Sequence, residues 1–204
     1  MDSRFKKLKK FEKRMELPPI ILASASPRRV ELLRQAKLRF DVRPADVAEA
    51  HSDQLTAREV CQVNAYRKAR AIAKRRPDAL VLAADTLVHL DNRLFGKPAD
   101  LAEARRMLKR LAGCTHEVVT GVCLMHLRTH ACRIFVVGTD VTFRKLTAKE
   151  IDRYLAAINP LDKAGGYAIQ EFGDWIVHGI EGSFTNVVGL PLERLQLELA
   201  NWPA

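Results

Sequence analysis

The sequence predicts an α/β fold built on a mixed β-sheet. In the first half of the chain, short apolar runs alternate with segments of helical periodicity, as expected for strands and helices packed in layers. Further along, two long strand candidates, 116–127 and 133–144, are separated by a short connection that contains the polar residues 128–130, which predicts a hairpin. Because a hairpin is antiparallel, the sheet is expected to be mixed rather than purely parallel.

The first predicted strand, residues 20–23, leads directly into a helix. Pro27 suits the first helical turn because its missing N–H would have no partner there, which places Ser26 at the N-cap. The N–H groups of Arg28 and Arg29 lie at this helix start, where the dipole favours anions, and their guanidinium groups add bidentate donors. The pattern indicates a phosphate site, although an ordinary capped surface helix would have the same sequence.

Each of the next three predicted helices is opened by a capping residue. They run from Thr56 to about residue 75, from Asp100 to Gly113, and from Thr147 to Asn159. The two threonines are each followed three residues later by glutamate, which is the pattern of a capping box. The last part of the chain is predicted to contain a glycine-rich loop, a strand and a closing helix from about Leu192.

The most apolar predicted strand, residues 80–88, contains Asp85 and Thr86. A buried carboxylate is costly unless it is paired, hydrogen-bonded or bound to a metal. Ligands of open α/β sheets bind at the carboxyl ends of strands, which is where this pair is expected. Asp85 is therefore a candidate site residue, with a structural salt bridge as the alternative.

Four further polar residues are weaker candidates. Glu49 precedes a helix, Lys68 lies on it, and Lys97 is in a G-K-P turn. Gln170 ends a segment with two adjacent glycines, residues 161–171, which suits a loop whose backbone approaches a ligand. Taken singly, each of these residues is equally well explained as ordinary surface or turn chemistry.

Composition bounds the class of protein. The chain has 204 residues, enough for one large or two-lobed domain, and contains no apolar run of membrane-spanning length, so no membrane partner is expected. Its four cysteines show no CxxC spacing, which predicts neither a zinc site nor a disulfide framework and favours a cytoplasmic location.

The net charge of +10 is concentrated at the N-terminus. Residues 1–14 contain seven basic and two acidic side chains, so half of the excess lies there. We interpret residues 1–17 as a basic, solvated extension, with a functional basic arm as the alternative. Nucleic acid is not an expected partner, and residues 18–204 are predicted to form a single domain.

Six motifs, in this order, resemble those of the Maf family of nucleoside triphosphate pyrophosphatases, also described as septum formation inhibitor proteins. They are LASASPRRVELL, AADTLV, GKP, GCTHEVVTGV, DKAGGYAIQ and NVVGLPL. The resemblance runs from about residue 20 to residue 195. It implies a two-lobed fold around a mixed, curved sheet, related to inosine triphosphate pyrophosphatases, with the site between the lobes. It also makes a homodimer plausible.

The resemblance implies hydrolysis of a nucleoside triphosphate between its α- and β-phosphates, with a divalent metal, Mg²⁺ or Mn²⁺. Asp85 matches the aspartate that the family assigns as proton acceptor, and Glu49, Lys68 and Lys97 match its polar cluster. Glu49 and Asp85 are then the expected metal ligands, whereas the basic groups with Ser26 offset the phosphate charge. Relatives commonly have two adjacent acids where this chain has Ala48 and Glu49.

Three residues, Arg28, Thr86 and Gln170, match the trio that marks the subfamily acting on dTTP and UTP. The sister subfamily, which prefers 7-methyl-GTP, differs at these places. Gln170 has the paired donor and acceptor needed to read a pyrimidine edge, and Thr86 is expected to bond base or sugar. The alternative function is a non-catalytic, nucleotide-binding regulator of septum formation and cell division.

Overall fold

The computed structural model describes residues 17–50, 54–91 and 93–203, in which seven strands form one sheet. The strands are β1 (Ile20–Leu22), β2 (Phe40–Val42), β3 (Leu80–Leu90), β4 (Arg93–Phe95), β5 (Thr115–His126), β6 (Ala131–Phe143) and β7 (Val177–Glu181). The helices are α1 (Pro27–Gln35), α2 (Ala57–Ala73), α3 (Leu101–Leu111), α4 (Ala148–Ala157), α5 (Gly173–Ile176), α6 (Phe184–Val188) and α7 (Leu192–Ala200). The predicted extension, residues 1–17, lies outside the described residues except for Leu17.

The sheet is mixed, as predicted. Its strand order is β2-β1-β3-β5-β6-β7, with β4 paired to β3 beside this path. β1 runs parallel to β2 and β3, whereas β5, β6 and β7 are each antiparallel to the strand before them in the sheet. The β5–β6 hairpin is the predicted one, and the pairing of β3 with β5 sets Asp85 opposite Gly121.

The predicted helix starts are confirmed where short-range capping determines them. Thr56 with Glu59 and Thr147 with Glu150 form complete capping boxes at the starts of α2 and α4. Asp100 accepts a hydrogen bond from the N–H of Glu103 and caps α3. The short helices α5 and α6 were not predicted, because four or five residues are too few for a periodic pattern.

The core is formed by clusters at different positions along the long strands. One cluster packs β1 and the first half of β3 against α1 and α7, and includes Leu22, Leu33, Leu82 and Leu195. Another packs the last half of β3 and the first half of β5 against α3 and α4, and includes Val88, Leu108, Val118 and Tyr154. Helix α2 covers the opposite face of the same stretch of β3 and β5 through its small residues Ala65 and Ala69, which pack with Val81 and Ala83.

All four cysteines are free: Cys61 and Cys123 are buried, Cys114 is half-buried and Cys132 is exposed. The Sγ atoms of Cys123 and Cys132 are 3.9 Å apart. In the part of the chain that the structure describes, none of the helices combines the length and the apolarity needed to cross a bilayer.

His116 is buried in the second cluster and is expected to make the stability of the fold depend on pH. Its Nε2 lies 2.8 Å from the hydroxyl of Tyr167, its ring packs edge-on against Phe143, and burial lowers the pKa of the imidazole to about 4. The unfolded chain, with a pKa near 6.5, therefore binds the proton first as the pH falls. As the pH falls from 6.5 to 4, we expect protonation of this residue to lower the free energy of unfolding by about 3 kcal/mol. Above pH 6.5 this stability is fully present.

Urea unfolding of the wild type and His116→Gln across this pH range measures the effect. The variant is expected to show a flatter pH dependence, whereas His178→Gln, at an exposed position of β7, should retain the wild-type slope. Equal slopes in the wild type and His116→Gln would contradict the prediction.

Candidate active site

A cavity of about 810 Å³ brings together all nine candidate residues chosen from the sequence. Its lining includes Ser26, Arg28, Arg29, Glu49, Lys68, Asp85, Thr86, Lys97 and Gln170. These side chains come from α1, the segment before α2, α2 itself, β3 and two loops. Two of the hydrophobic clusters also contribute to the cavity wall. Val88 belongs to the cluster that packs against α3 and α4, and Val188 packs against the cluster formed with α1 and α7.

Asp85 lies in the middle of β3 rather than at its carboxyl end, which corrects the expectation from the sequence. The strand continues to Leu90 because β5 pairs with it as far as His89 and β4 pairs with its last residues. The carboxylate is therefore presented from the face of the sheet. Asp85 is 6% exposed, so its charge depends on partners within the protein.

Two residues of α2 supply those partners. Lys68 Nζ lies 2.6 Å from Asp85 Oδ1, and Asn64 Nδ2 donates to Asp85 Oδ2 over 3.0 Å. Asn64 and Lys68 are four residues apart, which places them on one face of the helix. The buried carboxylate is thus both ion-paired and hydrogen-bonded. A salt bridge was the alternative to a site residue in the sequence, and Asp85 forms that salt bridge while it also lines the cavity.

Lys68 also joins the second candidate carboxylate. Its Nζ is 2.6 Å from Glu49 Oε1, so Glu49 and Asp85 face one ammonium group. Mg²⁺ is commonly held by one or two carboxylates together with substrate phosphates. This donor set fits that pattern. Among the described residues no group of three or more His, Cys, Asp or Glu side chains is arranged for a metal, so a bound ion would depend on substrate or water oxygens as well.

The two adjacent arginines at the start of α1 have different environments. Arg28 reaches across the cavity and donates to the carboxylate and the backbone carbonyl of Asp162, at 2.9 and 3.0 Å. Arg29 is directed inward, and burial lowers the pKa of its guanidinium, with Asp85 opposing the shift. Phosphate binding was predicted for both residues. Because Arg29 is buried and Arg28 is paired with Asp162, we expect Arg28 to exchange its partner for a phosphate more readily than Arg29.

Arg29 connects three parts of the site. Its guanidinium donates to the carbonyl of Gly189 at 2.8 Å, to Thr86 Oγ1 at 3.0 Å and to Ser24 Oγ at 3.2 Å. Three of its five N–H donors are therefore used within the protein. Thr86 Oγ1 lies a further 2.9 Å from Thr120 Oγ1. Arg29 thereby fixes the Thr86 hydroxyl and the segment before α7 relative to α1.

Ser26 takes the predicted N-cap position of α1, but its side chain makes no capping hydrogen bond. The Ser24 hydroxyl accepts a hydrogen bond from the Ser26 N–H at 3.2 Å within the same turn. The helix start thus has no side-chain cap while it faces the cavity. This is the arrangement of an anion site, in which backbone N–H groups and the dipole face the ligand.

The remaining candidates lie on loops at the cavity wall. Lys97 and Gln170 are both exposed, as expected for side chains that would close on a ligand. Their loops are connected because the N–H of Gly165 donates to the carbonyl of Gly96 over 2.9 Å. Gly165 has a φ of +70°, a conformation that suits glycine and lets the loop turn at this contact.

Several polar residues that line the cavity were not among the nine candidates, and the most buried of them are Lys163 and Asn64. Lys163 is 4% exposed and is held by Asp162 Oδ1 and the carbonyl of Asn159, at 2.9 and 2.7 Å. Asn64 is 2% exposed. Its signal was available, because helical spacing puts it on the same face as Val60 and Lys68, where a buried amide needs a polar partner.

Comparisons with known proteins identify a family model and several relatives that this chain resembles. Residues 19–202 match the family model described as Maf, Maf-like protein. A dTTP/UTP pyrophosphatase of Myxococcus xanthus is 50% identical over 174 residues, covering 85% of this chain and 87% of the relative. One of Bacillus cytotoxicus is 46% identical over 179 residues, covering 88% and 93%. A solved HAM1 protein from Coxiella burnetii matches 62% of this chain and 73% of its own, with a TM-score of 0.42 and 17% identity.

Proposed function

The chain belongs to the Maf family, which confirms the resemblance of its motifs, and from this premise we propose that it hydrolyses dTTP and UTP to the monophosphate and pyrophosphate. The observation that carries the proposal is the cavity in which a buried, paired aspartate lies among basic side chains and an uncapped helix start. Relatives that are 43–50% identical over most of the chain are named dTTP/UTP pyrophosphatases, which supports this substrate class.

In the proposed reaction, a water oxygen attacks the α-phosphorus and forms the new P–O bond. The bond from that phosphorus to the oxygen bridging to the β-phosphorus breaks, and pyrophosphate leaves. The Asp85 carboxylate accepts the proton that the attacking water loses. Its buried position, held from two sides by Asn64 and Lys68, keeps the acceptor oxygens in one place during the attack.

The basic groups act on the negative charge of the substrate. The proposal assigns phosphate oxygens to Arg28, Lys97 and the start of α1, where donors face the cavity. A bound Mg²⁺ or Mn²⁺, held by Glu49 and Asp85, would neutralise phosphate charge and lower the pKa of a coordinated water. Arg29, with its three contacts inside the protein, then supports the site from behind.

Selection of the base is proposed for Thr86 and Gln170. Gln170 is exposed on its loop and offers one donor group and one acceptor in its amide. Thr86 presents a hydroxyl that Arg29 and Thr120 orient. Thr86 and Gln170 provide hydrogen-bonding groups for the uracil or thymine edge and the sugar. Arg28, the third residue of the subfamily trio, is held in position by Asp162.

The proposal also includes a cellular location, an oligomeric state and a partner. Free cysteines suit a reducing compartment, which supports action in the cytoplasm. A homodimer is proposed from the family resemblance, and the nucleoside triphosphate is the proposed partner rather than nucleic acid.

Pyrophosphate release from dTTP, UTP, CTP, dATP, GTP and 7-methyl-GTP, with Mg²⁺, Mn²⁺ or EDTA, tests the proposal. We expect dTTP and UTP to have the highest kcat/KM, and EDTA to abolish turnover. A preference for 7-methyl-GTP would retain the chemistry but overturn the base-reading roles of Thr86 and Gln170. No turnover of any triphosphate by the folded protein would favour the nucleotide-binding regulator instead.

A further inference from the structure

Asn64 makes three hydrogen bonds within the cavity wall. Its Nδ2 donates to Asp85 Oδ2 at 3.0 Å and to the carbonyl of Ala50 at 3.2 Å, and its Oδ1 accepts from the Ala50 N–H at 2.6 Å. The residue is 2% exposed and lies on α2, the longest helix among the described residues. One amide therefore joins a helix, the central strand and the segment that carries Glu49.

The contacts with Ala50 set the position of the neighbouring residue. Ala50 lies outside any helix or strand, so no backbone ladder of its own holds it in place. The paired hydrogen bonds with Asn64 replace such a ladder, since they use both backbone groups of this residue. Glu49, the residue before it, is thereby placed where its carboxylate meets Lys68.

The contact with Asp85 sets the orientation of the other carboxylate. Lys68 holds Oδ1 and Asn64 holds Oδ2, so rotation of the carboxylate about its side chain would break one of the two contacts. Lys68 has a flexible stem, and its ammonium group can pair with any nearby oxygen. The Asn64 amide is held at both ends, so its N–H donates in one fixed direction. Asn64 therefore determines the orientation of the Asp85 carboxylate.

We propose that Asn64 is a positioning residue that holds the Asp85 carboxylate and the Glu49 segment in one fixed relation, and so acts on turnover through Asp85. This inference rests on the proposed hydrolysis, because it assigns Asp85 a role in the chemical step. Residues that orient a catalytic carboxylate or metal ligand commonly change activity by about 10- to 100-fold when they are removed.

The kinetic test is a double-mutant cycle between Asn64→Leu and Asp85→Asn, with the best triphosphate of the panel. Leucine matches the size of asparagine but makes no hydrogen bond. We expect Asn64→Leu to lower kcat by about 10- to 100-fold in the wild-type background while KM stays within a few-fold. In the Asp85→Asn background the same change should lower kcat little further, because the group it acts through has already been removed.

A stability control separates positioning from damage to the helix. Ile72→Ala removes buried side-chain volume from α2 two turns beyond Asn64 and touches neither carboxylate. It should lower the urea midpoint without the selective loss of kcat. Equal losses caused by Asn64→Leu in both backgrounds, or a wild-type kcat in that variant, would overturn the proposal.

A structural readout keeps the inference testable whatever the substrate panel shows. Crystal structures of the wild type and Asn64→Leu, both without nucleotide, should differ in the side-chain torsions of Asp85 and in the position of Ala50. If both were unchanged in the variant, Asn64 would not be positioning them and the inference would fail. Failure of the proposed function would instead appear as absence of turnover in the wild type, with these displacements still present.

Discussion

Replacing Asp85 with asparagine is expected to lower kcat by about 10²- to 10⁴-fold, the range found when a general base is removed. Asparagine has nearly the shape of aspartate, but its amide accepts no proton from water at neutral pH. Lys68 keeps Glu49 as a partner, so the ammonium is not left without a counter-charge. Initial rates of pyrophosphate release from dTTP, with urea unfolding of the same preparation, measure the effect.

The matched control is Asp152→Asn. Asp152 is exposed on α4 and pairs with Arg105, and neither residue lines the cavity. Its replacement should leave kcat unchanged and have little effect on stability, as expected for a surface ion pair. Wild-type turnover by Asp85→Asn would remove the central assignment of the proposed mechanism.

Replacing Gly121 with alanine is expected to damage both stability and activity. A Cβ there would lie 2.5 Å from the carbonyl carbon of Cys61, 2.6 Å from its oxygen and 2.7 Å from the nitrogen of Gln62. These are backbone atoms of α2, so no side-chain rotation relieves the contact and the helix itself must move. Such overpacking costs about 1–3 kcal/mol of unfolding free energy.

The loss of activity follows from what α2 carries. Asn64 and Lys68 lie on this helix and contact Asp85, which is directly opposite Gly121 in the sheet. A shift of about 1 Å in catalytic geometry lowers rates by about 10²-fold, and we expect a loss of kcat/KM of that order for Gly121→Ala.

Gly179→Ala is the matched control for this substitution. It also places a Cβ on a strand glycine, but no atom lies within 4 Å of that Cβ. Its urea midpoint and kcat/KM should remain near the wild-type values. If Gly121→Ala behaved in the same way, close approach of α2 to β5 would not be what holds the site together.

The parts of the fold that were predictable from the sequence are those determined by short-range interactions. The capping boxes of α2 and α4 connect residues three apart, and the β5–β6 hairpin connects strands separated by four residues. All nine candidate residues line one cavity, while the role of each stays a prediction. They were chosen from several motifs read in order, because each of the nine residues taken singly had an ordinary structural explanation.

The sequence by itself therefore determined the mixed sheet, the starts of the main helices and the set of polar residues to consider. Only the tertiary structure decided what each residue does, because the partners come from distant segments. Arg28 and Arg29 are adjacent and chemically identical, yet one reaches Asp162 and the other turns inward to Gly189. Successive helical residues point about 100° apart, so the two guanidinium groups reach different partners although both residues line the cavity.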